Sequence, residues 1–328
     1  RAKVDCNINY YTRQVETKNL GNGYAMEGGE YALQSASKTQ LTLGGTVSAD
    51  KRFGDFNIGG FARFEYYNKT EQYQRIATRG GLIVPGQFFI QNSKEPAQYT
   101  GDPVTAEGYV NGTKRMLSAI GALNLSWKDQ LYLDITGRND WSSTLPASNR
   151  SYFYPSVSGS VVINELADFG RTNGILNLFK VRASWAQVGH DTKPYRIEEY
   201  LTSTAFPGNV TTQTSKVNGT LLPEKVSSWE IGIDLRMFRN RLNLDMAYYN
   251  SKTTNALASM PVSAAAGMTS VFTNAGSIRN HGFEIQATGT IIRTKDIRWN
   301  VTANWSINRN KILELGEGID FWQIATRG

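Results

Sequence analysis

Side chains alternate between apolar and polar with a period of two, segment after segment, and no other feature of this chain restricts its fold as strongly. In 131–140, Leu131, Leu133 and Ile135 share one face, while Tyr132, Asp134, Thr136, Arg138 and Asp140 share the other. In 229–236, Trp229, Ile231, Ile233 and Leu235 oppose Glu230, Gly232, Asp234 and Arg236. The same division recurs in 242–248, 283–290 and 299–308, the last setting Trp299, Val301, Ala303, Trp305 and Ile307 against Asn300, Thr302, Asn304, Ser306 and Asn308. Weaker copies lie at 3–13, 38–49, 55–68, 115–127, 151–163 and 177–189. A period of two is the mark of a strand with unlike environments on its two faces.

The strongest and weaker copies together predict about eleven strands, most of roughly ten to thirteen residues. Globular strands run to about five or six residues, whereas a tilted strand crossing a bilayer needs about nine to eleven. The connections also come in two kinds. Short turns rich in Asp, Asn, Lys and Gly lie near 50–54, 128–130, 238–240 and 294–296, and long polar loops near 14–37, 69–114, 190–225 and 254–277. Short turns at one rim and long loops at the other belong to an outer-membrane barrel, the short ones periplasmic. Two connections fit less well: 141–150 is short for the outer rim, and 164–176 is long for the inner rim and is read as holding a helical turn. Aromatics gather toward strand ends, among them Tyr10, Tyr11, Tyr66, Tyr67, Trp127, Tyr152, Tyr154, Trp229 and Trp299, where interfacial girdles belong. The mean hydropathy of −0.40 does not oppose a membrane wall, because only every second residue of such a strand meets lipid.

The expected fold is therefore all-β: a transmembrane antiparallel β-barrel, with residues 1–328 forming part of one barrel domain. An odd strand count and strand-like patterning from residue 3 onward suggest a piece of a larger barrel. A passive porin uses the same ladder. A soluble β-rich carbohydrate-binding module, such as a sandwich or propeller, is disfavoured by strand length. One cysteine, Cys6, gives no internal disulfide framework and no cysteine-based zinc site. Two histidines, His190 and His281, leave little for metal or acid–base chemistry. His190 beside Asp191 invites a catalytic reading, but no nucleophile motif accompanies the pair. No enzyme activity, cofactor or metal is expected. The net charge of +7 is scattered without a basic run, so no nucleic-acid partner is expected.

Several longer motifs resemble the SusC/RagA family of TonB-dependent outer-membrane transporters. They are the run from Gly137 to Pro146 with Asn149–Ser156, Lys180–Gly189, Leu222–Asp234, Asn274–Glu284 and Trp299–Ser306. The resemblance covers most of the chain from about residue 115 onward. It implies a barrel of about 22 strands around an amino-terminal plug. It also implies a SusD-like surface lipoprotein as a lid, energy from TonB acting through the plug, and oligosaccharide or oligopeptide cargo. No plug domain, signal peptide, TonB box or carboxy-terminal barrel strand is recognisable in the sequence.

Candidate cargo contacts follow from these placements. Arg138 and Asp140 form a charged pair at the outer rim beside Trp141, whose ring suits a sugar face; the alternative reading is that the three pin a loop or the plug. Loop aromatics Tyr200, Phe206, Phe272 and Trp322 are candidates for cargo or lid contact, with loop packing as the alternative. Arg63, Glu65, Asp134, Arg182, Glu230, Asp234, Arg236 and Glu284 are expected to face the lumen. Their mixed signs favour cross-strand ion pairs over selection of anionic cargo.

Overall fold

The computed structural model describes residues 1–21, 28–99, 111–166, 175–199, 201–203, 210–212, 215–263, 265 and 267–315. Eleven long strands form one unbroken hydrogen-bonded path in chain order. They are β1 (Ala2–Asn19), β2 (Glu30–Phe53), β3 (Phe56–Leu82), β4 (Asn111–Trp127), β5 (Leu131–Ser142), β6 (Ser151–Val162), β7 (Leu176–His190), β8 (Glu224–Met237), β9 (Leu242–Thr254), β10 (Ser277–Arg293) and β11 (Arg298–Glu314). The pairings from β5 through β11 are antiparallel between chain neighbours. All eleven expected segments are strands. A twelfth strand, Ser93–Tyr99, pairs with the end of β3.

The strands outrun their alternation. β2 reaches 24 residues and β3 27, so parts of the expected loops 14–37 and 69–114 are ladder. Alternation reports a difference between the two faces, and it fades where both faces meet water although backbone pairing continues. Short strands also occupy the expected loops 190–225 and 254–277, at Leu201–Ser203, Val210–Thr212, Ser215–Lys216, Leu257–Pro261 and Ser270–Asn274. The helical turn expected within 164–176 is a four-residue helix, Ile163–Leu166.

The chain divides into two compact units, with β1, β2, β3 and β4 contributing residues to both. The first holds residues 1–3, 45–64 and 118–328. Its turns are tight: Gln130 N–H donates to the Trp127 carbonyl at 3.0 Å, and the central residues Lys128 and Asp129 adopt φ of 52° and 56°. Two consecutive positive φ values give the twist of a two-residue hairpin turn. The second unit holds residues 4–44 and 65–117. There Arg75 pairs with Glu30 at 2.8 Å and Tyr31 N–H donates to Thr78 Oγ1 at 2.9 Å. The Asn92 side chain closes the following loop by bonding both the N–H and the carbonyl of Val84.

Register turns the sequence pattern into two surfaces. One row of cross-strand neighbours in the first unit reads Leu133, Gly159, Ala183, Ile231, Tyr248, Phe283, Ile307 from β5 to β11, and the adjacent row reads Leu131, Val161, Val181, Ile233, Met246, Ile285, Trp305. These side chains face outward in one continuous apolar band. Ile231, Trp305, Leu133 and many others are exposed, while only ten hydrophobic residues are buried among those described. The apolar surface therefore lines the outside of the sheet and does not close into a core, which is the arrangement of a wall in lipid. The opposite face reads Ser158, Ser184, Glu230, Tyr249, Gly282 and Asn308. Among the described residues no helix is long and apolar enough to cross a membrane.

Candidate functional site

The inward face carries an ion-pair hub. Arg182 on β7 reaches Asp234 on β8 at 2.5 Å and Asp245 on β9 at 2.9 Å, and its Nε lies 3.6 Å from Glu230. Gly232 sits directly opposite Arg182 in the ladder. A Cβ there would stand 2.5 Å from the Arg182 Nε, so the glycine leaves the room in which the guanidinium crosses β8. Lys180 and Arg236 flank the hub, giving three charges of each sign. A polar hollow of about 570 Å³ lies alongside, lined by Lys180, Asp234, Arg236, Asn243, Asp245 and Gln286 among others. The remaining inward charges are spread out. Asp134 accepts from Asn124 at 2.5 Å, Arg63 donates to Thr46 at 3.0 Å, Glu284 is exposed, and Glu65 is half-buried on β3.

The outer rim is held by a second, buried polar network. Asp140, 3% exposed, accepts from Arg138 Nε at 2.8 Å and from the Tyr154 hydroxyl, and Arg138 also donates to Ser118 at 3.1 Å. Two residues further along β5, the Ser142 hydroxyl donates to the Asp191 carboxylate, as does Thr144 Oγ1 at 3.1 Å. Asp191 is 5% exposed and stands just after β7, so this contact ties the β5–β6 turn to the β7–β8 connection. A small cluster of Leu145, Leu221 and Phe272, with Tyr152, Ile197 and Leu257 packed against it, joins the β9–β10 connection to the same knot. Asn149 bonds the carbonyls of Thr220 and Leu221, and Asn274 bonds both the N–H and the carbonyl of Leu222. Buried carboxylates and half-buried amides satisfied in this way rigidify the segments they join.

The structure brings Arg138 and Asp140 together and separates them from Trp141. Alternation along β5 turns Trp141 to the outward face with Leu131, Leu133 and Ile135, away from the charged pair. Phe272 is packed in the outer cluster, with the Arg196 guanidinium 4.4 Å from its ring centre. Tyr200, Phe206 and Trp322 lie outside the described residues. Sequence reasoning missed Ser142, Thr144, Tyr152 and Asp191 as a group. A signal was present in the family-like run through Ser142 and Thr144, but their partner lies 47 residues beyond Thr144.

The family model described as TonB dependent receptor-like, beta-barrel, matches residues 4–320. TonB-dependent receptor P3 of Formosa agariphila is 26% identical over 312 residues, covering 90% of this chain and 29% of the relative. TonB-dependent receptor SusC of Bacteroides thetaiotaomicron is 28% identical over 324 residues, covering 90% of this chain and 32% of the relative. The solved RagAB peptide transporter superposes with a TM-score of 0.78 at 21% identity, over 97% of this chain and 35% of that one, a likeness of fold. The chain thus spans about a third of the length of the relatives it matches.

Proposed function

Since this chain belongs to the TonB dependent receptor-like β-barrel family of outer-membrane proteins, we propose that it forms part of the barrel wall of a SusC-type importer for oligosaccharides or oligopeptides. The observation that carries the reading is the two-faced ladder: a continuous outward apolar band backed by an inward face of paired charges and amides. An inward face of this kind suits a hydrated passage for a polar cargo. Its mixed signs do not single out anionic cargo, and the paired charges of the Arg182 hub stand among hydrogen-bonding side chains.

The wall closes with strands beyond those described. Among the described residues, β1 and β11 each have one ladder neighbour. An open edge within hydrocarbon leaves backbone donors and acceptors without partners, at several kcal/mol each. In this reading a plug domain fills the lumen and receives energy from TonB, and a SusD-like lipoprotein covers the outer mouth. Arg138, Asp140 and Phe272 set the shape of the outer mouth by fixing its loops, and Tyr200, Phe206 and Trp322 remain candidates for cargo contact. The family is one of transport receptors and not of enzymes, and no catalytic role is assigned to any residue.

Uptake of labelled oligosaccharides and oligopeptides by cells expressing the full-length protein tests the reading. Import is expected to stop when the proton motive force is dissipated or TonB is deleted. Uptake that continues unchanged would make the barrel a passive porin. The cargo class that competes for uptake decides between glycan and peptide.

A further inference from the structure

The outward face changes character on β8–β11 just outside the apolar band. The row Ile135, Val157, Trp185, Trp229 is apolar from β5 to β8, then continues as Asn250, His281 and Arg309 on β9, β10 and β11. The next row toward the loops reads Gln187, Ser227, Lys252, Arg279, Lys311. Strands of such a wall tilt by about 35–45°, so a row perpendicular to them leaves the hydrocarbon as it proceeds. Trp229 packs against Tyr248 with ring centres 5.4 Å apart, which places an aromatic pair where the headgroup zone begins. Lys252, Arg279 and Lys311 therefore stand at headgroup height on the loop side, which is the outer leaflet.

These three cations are direct cross-strand neighbours, with Cβ atoms about 4.5–5.5 Å apart, a spacing at which like charges destabilise the sheet. Among the described residues none of them makes an ion pair, and Arg279 donates instead to the neutral Asn250 side chain at 2.6 Å. All three are exposed. The nearest carboxylate along β11 is Glu314, one row further out and hydrogen-bonded to Ser277. The inward face does the opposite, matching each Arg182 contact with an acid. A repulsive triad with no counter-charge among the described residues, at the level of lipid headgroups, suits an external anion.

We propose that the outward face of β9–β11 is a binding site for the phosphate-bearing headgroup of an outer-leaflet glycolipid. Lys252, Arg279 and Lys311 hold the phosphate, and the aromatic and apolar rows below lie along the acyl chains. Headgroup phosphate and free phosphate share this chemistry, but only the lipid also meets the apolar band beneath. The inference rests on outer-membrane placement and is independent of cargo and of TonB coupling.

The test measures binding of phosphorylated lipid A to the full-length transporter, purified in a non-ionic detergent without cargo, by native mass spectrometry. The variant Lys252→Gln/Arg279→Gln/Lys311→Gln is expected to bind on the order of a hundredfold more weakly, each charge near an anionic surface contributing about fivefold. Dephosphorylated lipid A is expected to bind the wild type as weakly, and inorganic phosphate is expected not to displace the lipid. Arg239→Gln/Lys295→Gln/Arg298→Gln makes the same charge change near the inner turns and is expected to bind like the wild type. Should the first variant fail to fold, Lys252→Gln/Lys311→Gln is read in the same way. Wild-type affinity in the triple variant, equal binding of the dephosphorylated lipid, displacement by inorganic phosphate, or equal loss in the inner-turn control would each overturn the proposal.

Discussion

Breaking the Arg138–Asp140 pair separates a fastening role from a direct part in cargo binding. The two charge centres lie about 4 Å apart, and at an effective dielectric of about 20 their attraction is about 4 kcal/mol. Asp140 is 3% exposed and Arg138 30%, so the two halves of the pair are not equivalent. Arg138→Gln leaves a carboxylate out of water with the Tyr154 hydroxyl as its remaining charge-stabilising donor. The new amide recovers about 1 kcal/mol through one hydrogen bond. The expected loss is therefore about 3 kcal/mol, at the lower end of the range for a broken buried pair. Asp140→Asn leaves the cation partly hydrated and still bonded to Ser118, for a loss of about 2 kcal/mol. In the double variant two neutral amides face each other, no charge is stranded, and the loss is again about 2 kcal/mol, so the sum of the singles overshoots the double by about 3 kcal/mol. The measurement is equilibrium urea unfolding of the full-length protein refolded into phosphatidylcholine vesicles, followed by tryptophan emission. Additivity within about 0.5 kcal/mol would refute the pairing argument. Unchanged stability with lost uptake would instead make Arg138 and Asp140 cargo ligands.

Two further outcomes probe the wall and its fastenings. Ile233→Arg, placed between Val181 and Met246 on the outward face, is expected to cost about 2–4 kcal/mol in the same vesicles, while Asn304→Arg on the inward face stays within about 0.5 kcal/mol of wild type. Equal costs would mean that the faces have been assigned wrongly. Gly276 has φ of 75°, and a Cβ there would stand 2.1 Å from the Glu314 carbonyl oxygen. Gly276→Ala is expected to cost more than the roughly 1 kcal/mol of left-handed strain alone. Gly54→Ala, with φ of 57° and open space around it, measures that strain by itself. A match between the two would show that the close approach of β11 does not demand the glycine.

What the sequence made legible follows from which forces write themselves into local pattern. Lipid on one side and polar surroundings on the other impose a period of two. Ile231, Ile233 and Leu235 could therefore be assigned to one face, and Glu230 and Asp234 to the other, before any pairing was known. The same cause explains the underestimate of β2 and β3. Around Lys69, Glu71 and Arg75 the sequence stays polar on both faces, so the period vanishes although the ladder runs on to Leu82. Trp141 neighbours Arg138 and Asp140 in the motif, yet the alternation of the same segment puts it on the other face. The outer knot was not legible at all, because it depends on pairs far apart in the chain. Ser142 meets Asp191, Asn149 meets Leu221, and Leu222 meets Asn274. Each is an ordinary residue in a loop or at a strand end until the strands bring the loops to one rim. The basic triad stands between these extremes. Lys252, Arg279 and Lys311 are scattered in sequence with no run of charge, and only the register of three successive hairpin strands sets them side by side. Period fixes which face a residue takes, but register fixes its neighbours, and binding chemistry on a barrel wall depends on neighbours.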